Sequence, residues 1–226
     1  MSHDESLELQ ILATIDKWVE QELRPIAKEY DQADEYPSDL VDQMKALGLF
    51  GATISEAYGG LGLGASTYAK IVSRICEVWM APSGIFNSHL IMANCVERAG
   101  TDAQKEYFLP KFATGELRGG IGLTEPDAGS DLQSLRLAAK KDGTDYLLNG
   151  TKTWISNGIY GNCLAVLTKT DPTVSPAHRG MSLFICEKGE GFTVGKKLKK
   201  LGYRAIDSAE LIFDNFRVSA DNLVGG

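Results

Sequence analysis

Near Gly119 the spacing of apolar residues changes from a helical to a strand period, and no all-α or all-β fold accommodates both halves. Upstream, Leu7, Ile11, Ile15, Trp18, Val19 and Leu23 recur at helical spacing with charges between them. Pro25 lacks a backbone donor and is expected to kink or restart that helix. Further helices are predicted from Ser38 to Leu47, Ser66 to Met80, Pro82 to Arg98 and Ala103 to Phe112, the last capped by Thr101 or Asp102. A glycine loop, Ser55 to Gly64, interrupts them. Downstream, short β-type runs cover Gly120–Leu123, Tyr146–Leu148, Cys163–Thr168, Met181–Cys186, Phe192–Val194 and Ala209–Phe213. Turn pairs separate them, among them Asn149-Gly150 and Asn157-Gly158. The expected fold class is α+β: an all-helical domain over residues 1–118, then a small antiparallel β-barrel or sandwich over residues 119–226.

Composition narrows the function. The net charge of −7 argues against nucleic acid as a partner, because phosphate neutralisation needs a surplus of Lys and Arg. It also argues against adhesion to an anionic membrane surface. The one basic cluster, Lys196, Lys197, Lys199, Lys200 and Arg204, reads either as a solvated face or as a landing strip for an anionic phosphate. The four cysteines form no C-x-x-C pair, and the three histidines do not stand at metal spacing with them, so no metal site is assigned. A reducing compartment fits unpaired cysteines, and the N-terminal residues show neither a signal core nor transit character. A cytoplasmic location is the expectation.

Two segments carry chemistry. In the first, Leu123-Thr124-Glu125-Pro126-Asp127-Ala128-Gly129-Ser130-Asp131, a strand ends and the chain turns, offering backbone N–H groups and the hydroxyls of Thr124 and Ser130. That set suits a phosphate or the carbonyl edge of a planar ring, although a plain turn capped by Asp and Ser has the same spacing. The second runs from Asn149 to Gly158 and places Trp154 and Ser156 two apart on a predicted strand, hence on one face. An indole beside a hydroxyl can stack on a ring and bond its polar edge; a buried Trp next to a surface Ser fits equally well.

The stretch LTEPDAGSD resembles the flavin loop of the acyl-CoA dehydrogenase family, and NGTKTWISNG is similar to that family's second flavin-contacting strand. The resemblance continues in the same order through AYGGLGLG, GTDAQKEYFLPKFATGE and KKLGYRAIDSAELIFDNFRVSADNLVGG. It implies an FAD enzyme that oxidises an acyl-CoA thioester to the trans-2-enoyl-CoA and passes electrons to an electron-transfer flavoprotein, as a homotetramer. It implies that Thr124 bonds the pyrimidine end of the flavin, that Ser156 bonds near N5, and that Trp154 packs on the ring. Ile121, Leu123, Gly129 and Ile155 complete the expected cofactor contacts, and Ser130 touches both flavin and the thioester arm. Glu125 is read as structural and Asp131 as a loop cap. The acyl cavity falls on the helix bearing Gly84, Asn87 and Ile91. Ala81 stands where relatives acting on glutaryl-CoA carry an arginine, which disfavours a dicarboxylic substrate.

The same resemblance places the catalytic base, a Glu, in a C-terminal helical domain with no counterpart in these 226 residues. No catalytic residue is therefore assigned, and the chain alone is expected to be inactive with an incomplete flavin pocket. The alternatives are an acyl-CoA oxidase or flavin monooxygenase of the same fold, and a non-catalytic assembly module.

Overall fold

A computed structural model describes residues 3–226. Helix α1 (His3–Trp18) passes through one π turn (Val19–Leu23) straight into α2 (Arg24–Ala33). Pro25 explains the widened turn. It cannot donate to the ladder, and the Arg24 N–H reaches back five residues to the Val19 carbonyl. Helix α3 (Ser38–Ala46) follows Pro37 and is stopped by Gly48 in the left-handed region (φ 71°). Beyond the glycine loop come α4 (Ala65–Cys76), α5 (Met80–Ala99) and α6 (Asp102–Thr114). Helix α6 opens with a reciprocal capping box: Gln104 N donates to Thr101 Oγ1 at 3.2 Å and Thr101 N to Gln104 Oε1 at 3.0 Å. The Gln104 amide also donates to the carbonyls of Asp221 and Leu223 at 2.7 and 2.6 Å, tying the end of the chain to this helix.

Helix α5 is the central post, with Ile85, Phe86, Met92, Ala93 and Val96 fully buried. His89 lies among them, edge-on to Phe50 and Phe112, its Nε2 donating to the Phe112 carbonyl at 3.0 Å. Its Nδ1 has no partner, and burial pushes the imidazole down from 6.5 to about 4. Folded protein therefore refuses a proton that unfolded protein accepts. Stability is full above about pH 6.5 and falls as the pH drops toward 4, by roughly 3 kcal/mol in all. His89→Gln should flatten the melting temperature across that window; an unchanged pH slope would exclude His89 as its source.

The strands are β1 (Gly119–Gly122), β2 (Ala138–Asp142), β3 (Asp145–Ser156), β4 (Cys163–Lys169), β5 (Met181–Glu187), β6 (Phe192–Lys197) and β7 (Ser208–Ser219). They form one curled sheet in the order β1-β4-β2-β3-β7-β6, with β5 on the other side of β4. The α+β expectation holds, but the sheet is mixed rather than wholly antiparallel, because β1 and the first residue of β2, Ala138, pair parallel with β4. Strand β1 arrives directly from α6 and slots against β4 so closely that a Cβ at Gly119 would sit 1.5 Å from the Cys163 carbonyl oxygen. Only glycine permits that approach.

Two apolar cores result. One lies under the sheet, around Leu148, Phe184, Leu211, Phe213 and Phe216. The other fills the helices but also takes in Cys163, Ala165, Ile185, Ala205 and Ile206 from the sheet region. The helices and the sheet thus share one core across the sequence boundary at 118–119.

Candidate functional site

The segment after β1 makes a tight turn in which the Glu125 and Ala128 backbones exchange hydrogen bonds at 2.8 and 3.2 Å. The turn lifts Gly129 and Ser130 into solvent, and a Cβ added at Gly129 meets nothing within 4 Å. Among the described residues, neither of their N–H groups has a backbone partner. The loop is therefore an open cradle of donors.

A buried ion pair fixes it. Glu125, 6% exposed, meets Lys152 Nζ at 2.8 Å and accepts the N–H groups of Arg136 and Leu137 at 2.6 and 3.0 Å. Lys152 is fully buried and also donates to the Leu123 carbonyl at 3.0 Å. Burial alone would raise the Glu125 carboxyl, but the Lys152 ammonium and the two N–H donors outweigh it and hold the group below its ordinary range. Glu125 is thus structural, as expected. Asp131 accepts from the Ser134 hydroxyl, consistent with a loop cap. The pair was not foreseen; its signal was a lysine at an inward strand position, Lys152, between Thr151 and Thr153.

Lys152 also brings β3 against the loop, and Thr153 N donates to the Thr124 carbonyl at 2.9 Å. Here β3 is not a plain strand. Thr153 and Trp154 together oppose Glu210 of β7, a β-bulge, and Trp154 takes φ +60°. For a large aromatic this backbone costs about 1–3 kcal/mol, and such strain gathers at functional sites. The bulge leaves the indole 57% exposed while Ile155 stays buried and Ser156 half-buried.

The loop and the strand end therefore meet at Thr124 and Thr153. Half-buried Ile121 and Leu123 lead into the loop from β1. A Cβ at Gly120 would stand 2.7 Å from the Ser156 carbonyl oxygen and 3.6 Å from Ser88 of α5, so β1, β3 and α5 meet there. Asn87 and Ile91 are exposed on α5. The Asn149-Gly150 pair does not flank β3 as a turn; it lies within the strand, where Asn149 opposes Asp214-Asn215 in a second bulge. Asn157-Gly158 does turn, and Asn157 Nδ2 donates to the carbonyls of Ile85 and Gly119 at 2.8 and 2.7 Å, stapling the end of β3 to α5 and β1. Of the basic cluster, Lys197 pairs with Asp34 at 3.2 Å, and Lys200 donates to the Ile206 carbonyl at 2.6 Å. Those two cations serve the fold. No group of metal-ligating side chains occurs among the described residues, and no described helix is long and apolar enough to cross a membrane.

Comparison with known proteins matches residues 6–116 to the model described as acyl-CoA dehydrogenase, N-terminal domain, and residues 120–216 to acyl-CoA dehydrogenase, middle domain. The chain is 40% identical over 220 residues to mitochondrial isovaleryl-CoA dehydrogenase of Pongo abelii, covering 96% of this chain and 52% of that protein. It superposes on the acyl-CoA dehydrogenase of Geobacillus kaustophilus with a TM-score of 0.90 at 36% identity, over 100% of this chain and 59% of the other. A Mycobacterium smegmatis glutaryl-CoA dehydrogenase solved with FADH2 gives 0.82 at 31% identity, over 99% of this chain and 55% of the other. The chain spans about half the length of the curated relatives it matches.

Proposed function

The chain belongs to the acyl-CoA dehydrogenase family, and from that premise we propose that it supplies the flavin-binding face of an FAD-dependent acyl-CoA dehydrogenase. The observation that carries this is the strained, solvent-exposed indole of Trp154 beside a loop of unpartnered N–H groups. An exposed apolar ring at a costly backbone angle suits a planar ligand, and free amides with the hydroxyls of Thr124 and Ser156 suit that ligand's polar edges. These residues fit an isoalloxazine ring.

A flavin held there would supply a hydride acceptor for the β carbon of an acyl thioester. Thr124 and the amides around it would stabilise negative charge at the pyrimidine end, and Ser156 would donate to or accept from the edge at N5. Trp154, with Ile155 behind it, would cover one face and exclude water. Ser130 would reach both the flavin and the thioester arm, while Asn87 and Ile91 would line the acyl chain. Leu123, Gly129 and Ile121 would shape the cradle.

The α proton needs a carboxylate base, and this loop offers none. Glu125 is held by Lys152 and two amides, Asp131 by Ser134, and Asp127 faces Arg136 at 3.5 Å in solvent. The proposal therefore places the base outside these 226 residues, with electrons passed to an electron-transfer flavoprotein by a longer, homotetrameric protein.

The test has two stages. The 226-residue chain is incubated with FAD, freed of excess flavin by gel filtration and examined for visible absorbance. A co-eluting flavin band without acyl-CoA:dye reductase activity is expected; turnover by this chain would overturn the placement of the base. A version extended to the length of its relatives is expected to bleach its flavin with an acyl-CoA thioester. Failure of that version to hold flavin would remove the proposal.

A further inference from the structure

Resting on the flavin reading above, we infer that Asp207 is a positioning residue of the flavin site: by gripping the turn that follows Ser156, it holds the far side of the Trp154 bulge in place. Asp207 lies immediately before β7 and is 1% exposed. Its Oδ2 accepts the N–H of Ile159 at 2.6 Å, and its Oδ1 has no partner. Ile159 belongs to the turn that Asn157 opens in the left-handed region at φ 59°. From just beyond β5, the Lys188 ammonium donates to the carbonyls of Gly158 and Ile159 at 2.6 and 2.9 Å. A carboxylate thus holds the turn by its N–H and an ammonium holds it by its carbonyls.

The bulge makes that grip matter. On one side of Trp154, β3 pairs with β7 from Asp145 to Lys152; on the other, only Ile155 with Ala209 and Ser156 with Ser208 remain. So short a strand end frays readily. A backbone as costly as that of Trp154 persists only where its surroundings over-determine it. Before the bulge the Lys152–Glu125 pair does so. Beyond it the Asp207–Ile159 bond is the next rung, and Lys200 fixes the β7 side through the Ile206 carbonyl and Ser208 hydroxyl at 2.6 and 3.1 Å.

The grip does not strengthen the fold as a whole. Burial pushes the Asp207 carboxyl above its ordinary 3.8, and the Ile159 N–H and the nearby Lys188 and Lys200 ammoniums do not outweigh it. From the helical half, the Tyr36 phenol lies close by; burial pushes it up to about 12, so it stays neutral, and it accepts from Arg118 at 3.0 Å. An ionised Asp207 therefore costs stability, a cost absent below pH 3.8 and full once the pH exceeds the folded value. A group that weakens the fold while fixing one turn fits a site that trades stability for geometry.

The test uses the full-length enzyme, with FAD as the probe. Asp207→Ala should raise the FAD dissociation constant about tenfold, the scale of one lost buried hydrogen bond. Asp207→Asn should restore it to within about threefold of the parent, because an amide oxygen can accept the Ile159 N–H. It should also melt no lower than the parent at pH 7, because the buried charge is gone. Asp207→Glu keeps charge and acceptor on a longer arm and should also weaken FAD, so the question survives an alanine variant that does not fold. In a Trp154→Gly background, where the strain is absent, Asp207→Ala should add little further loss. FAD held by the folded alanine or glutamate variants as tightly as by the parent would overturn the inference alone. So would an asparagine variant as weak as alanine, or losses that add fully in the double variant. A parent that fails to hold FAD would bring down the flavin reading, and this inference with it.

Discussion

Lys152→Met should be among the most destabilising single substitutions in this chain, lowering stability by about 3–5 kcal/mol because it strands a buried carboxylate. For a chain of this size that is a fall of roughly 10 °C in melting temperature. The lysine is fully buried, and its carboxylate partner, Glu125, is 6% exposed. Glu125→Gln should cost less, since the remaining ammonium keeps the Leu123 carbonyl. The double variant should cost less than the sum, because neither charge is left alone. The pH response has a definite sign. The Glu125 carboxyl is held below its ordinary 4.5 in the folded state, so its contribution is present above that pH and lost as pH falls through the lower, folded value. Glu125→Gln should make the acid limb of the stability curve shallower. Thermal melts from pH 3 to pH 7 decide the matter; additive single effects would show that the two groups act separately.

Trp154→Gly is expected to separate stability from cofactor binding. Glycine adopts φ +60° without strain, and the lost indole was largely in solvent, so the flavin-free chain should melt no lower than the parent and up to about 1 kcal/mol more stably. Flavin retention should nevertheless fall at least about tenfold, the order of 1–2 kcal/mol expected for a lost ring-stacking surface. Titration with FAD, followed by flavin absorbance and by the protein's own fluorescence, reads this directly. A variant that is both less stable and fully competent in flavin binding would mean that the bulge serves the sheet and not the ligand.

The helical half was legible because periodicity there is set by burial against one core. The predicted helix starting at Pro82 differs from the observed α5 by only two residues at its start. The sheet was harder for reasons visible in particular residues. Strand β2, Ala138–Asp142, contains no β-branched or aromatic residue and went unread. Strand β3 was read as two pieces, Tyr146–Leu148 and a short strand carrying Trp154 and Ser156, because Asn149-Gly150 is ordinarily a turn; here Gly150 at φ +144° instead passes 2.9 Å, as measured from an added Cβ, from Leu137 Cα. Strand β6 runs on to Lys197, where the lysines guard a sheet edge. The glycine loop between α3 and α4 was legible from its four glycines. The Trp154 bulge and the Lys152–Glu125 pair were not, because each depends on residues far apart in sequence that only the folded register brings together.

The shared core has a consequence for how such chains can be recombined. Sequence boundaries fall near residue 118, between the regions matched at 6–116 and 120–216. The physical seam does not. Ala205 and Ile206 pack into the helical core, Tyr160 stacks on Tyr36 with ring centroids 4.0 Å apart, and Asn157 binds Ile85 of α5. A chimaera that exchanged the sheet region with a relative's at that border would cut through a packed interior and through the walls of the site at once. A transferable unit that respects this seam carries the sheet together with the helices packed on it, α5 among them.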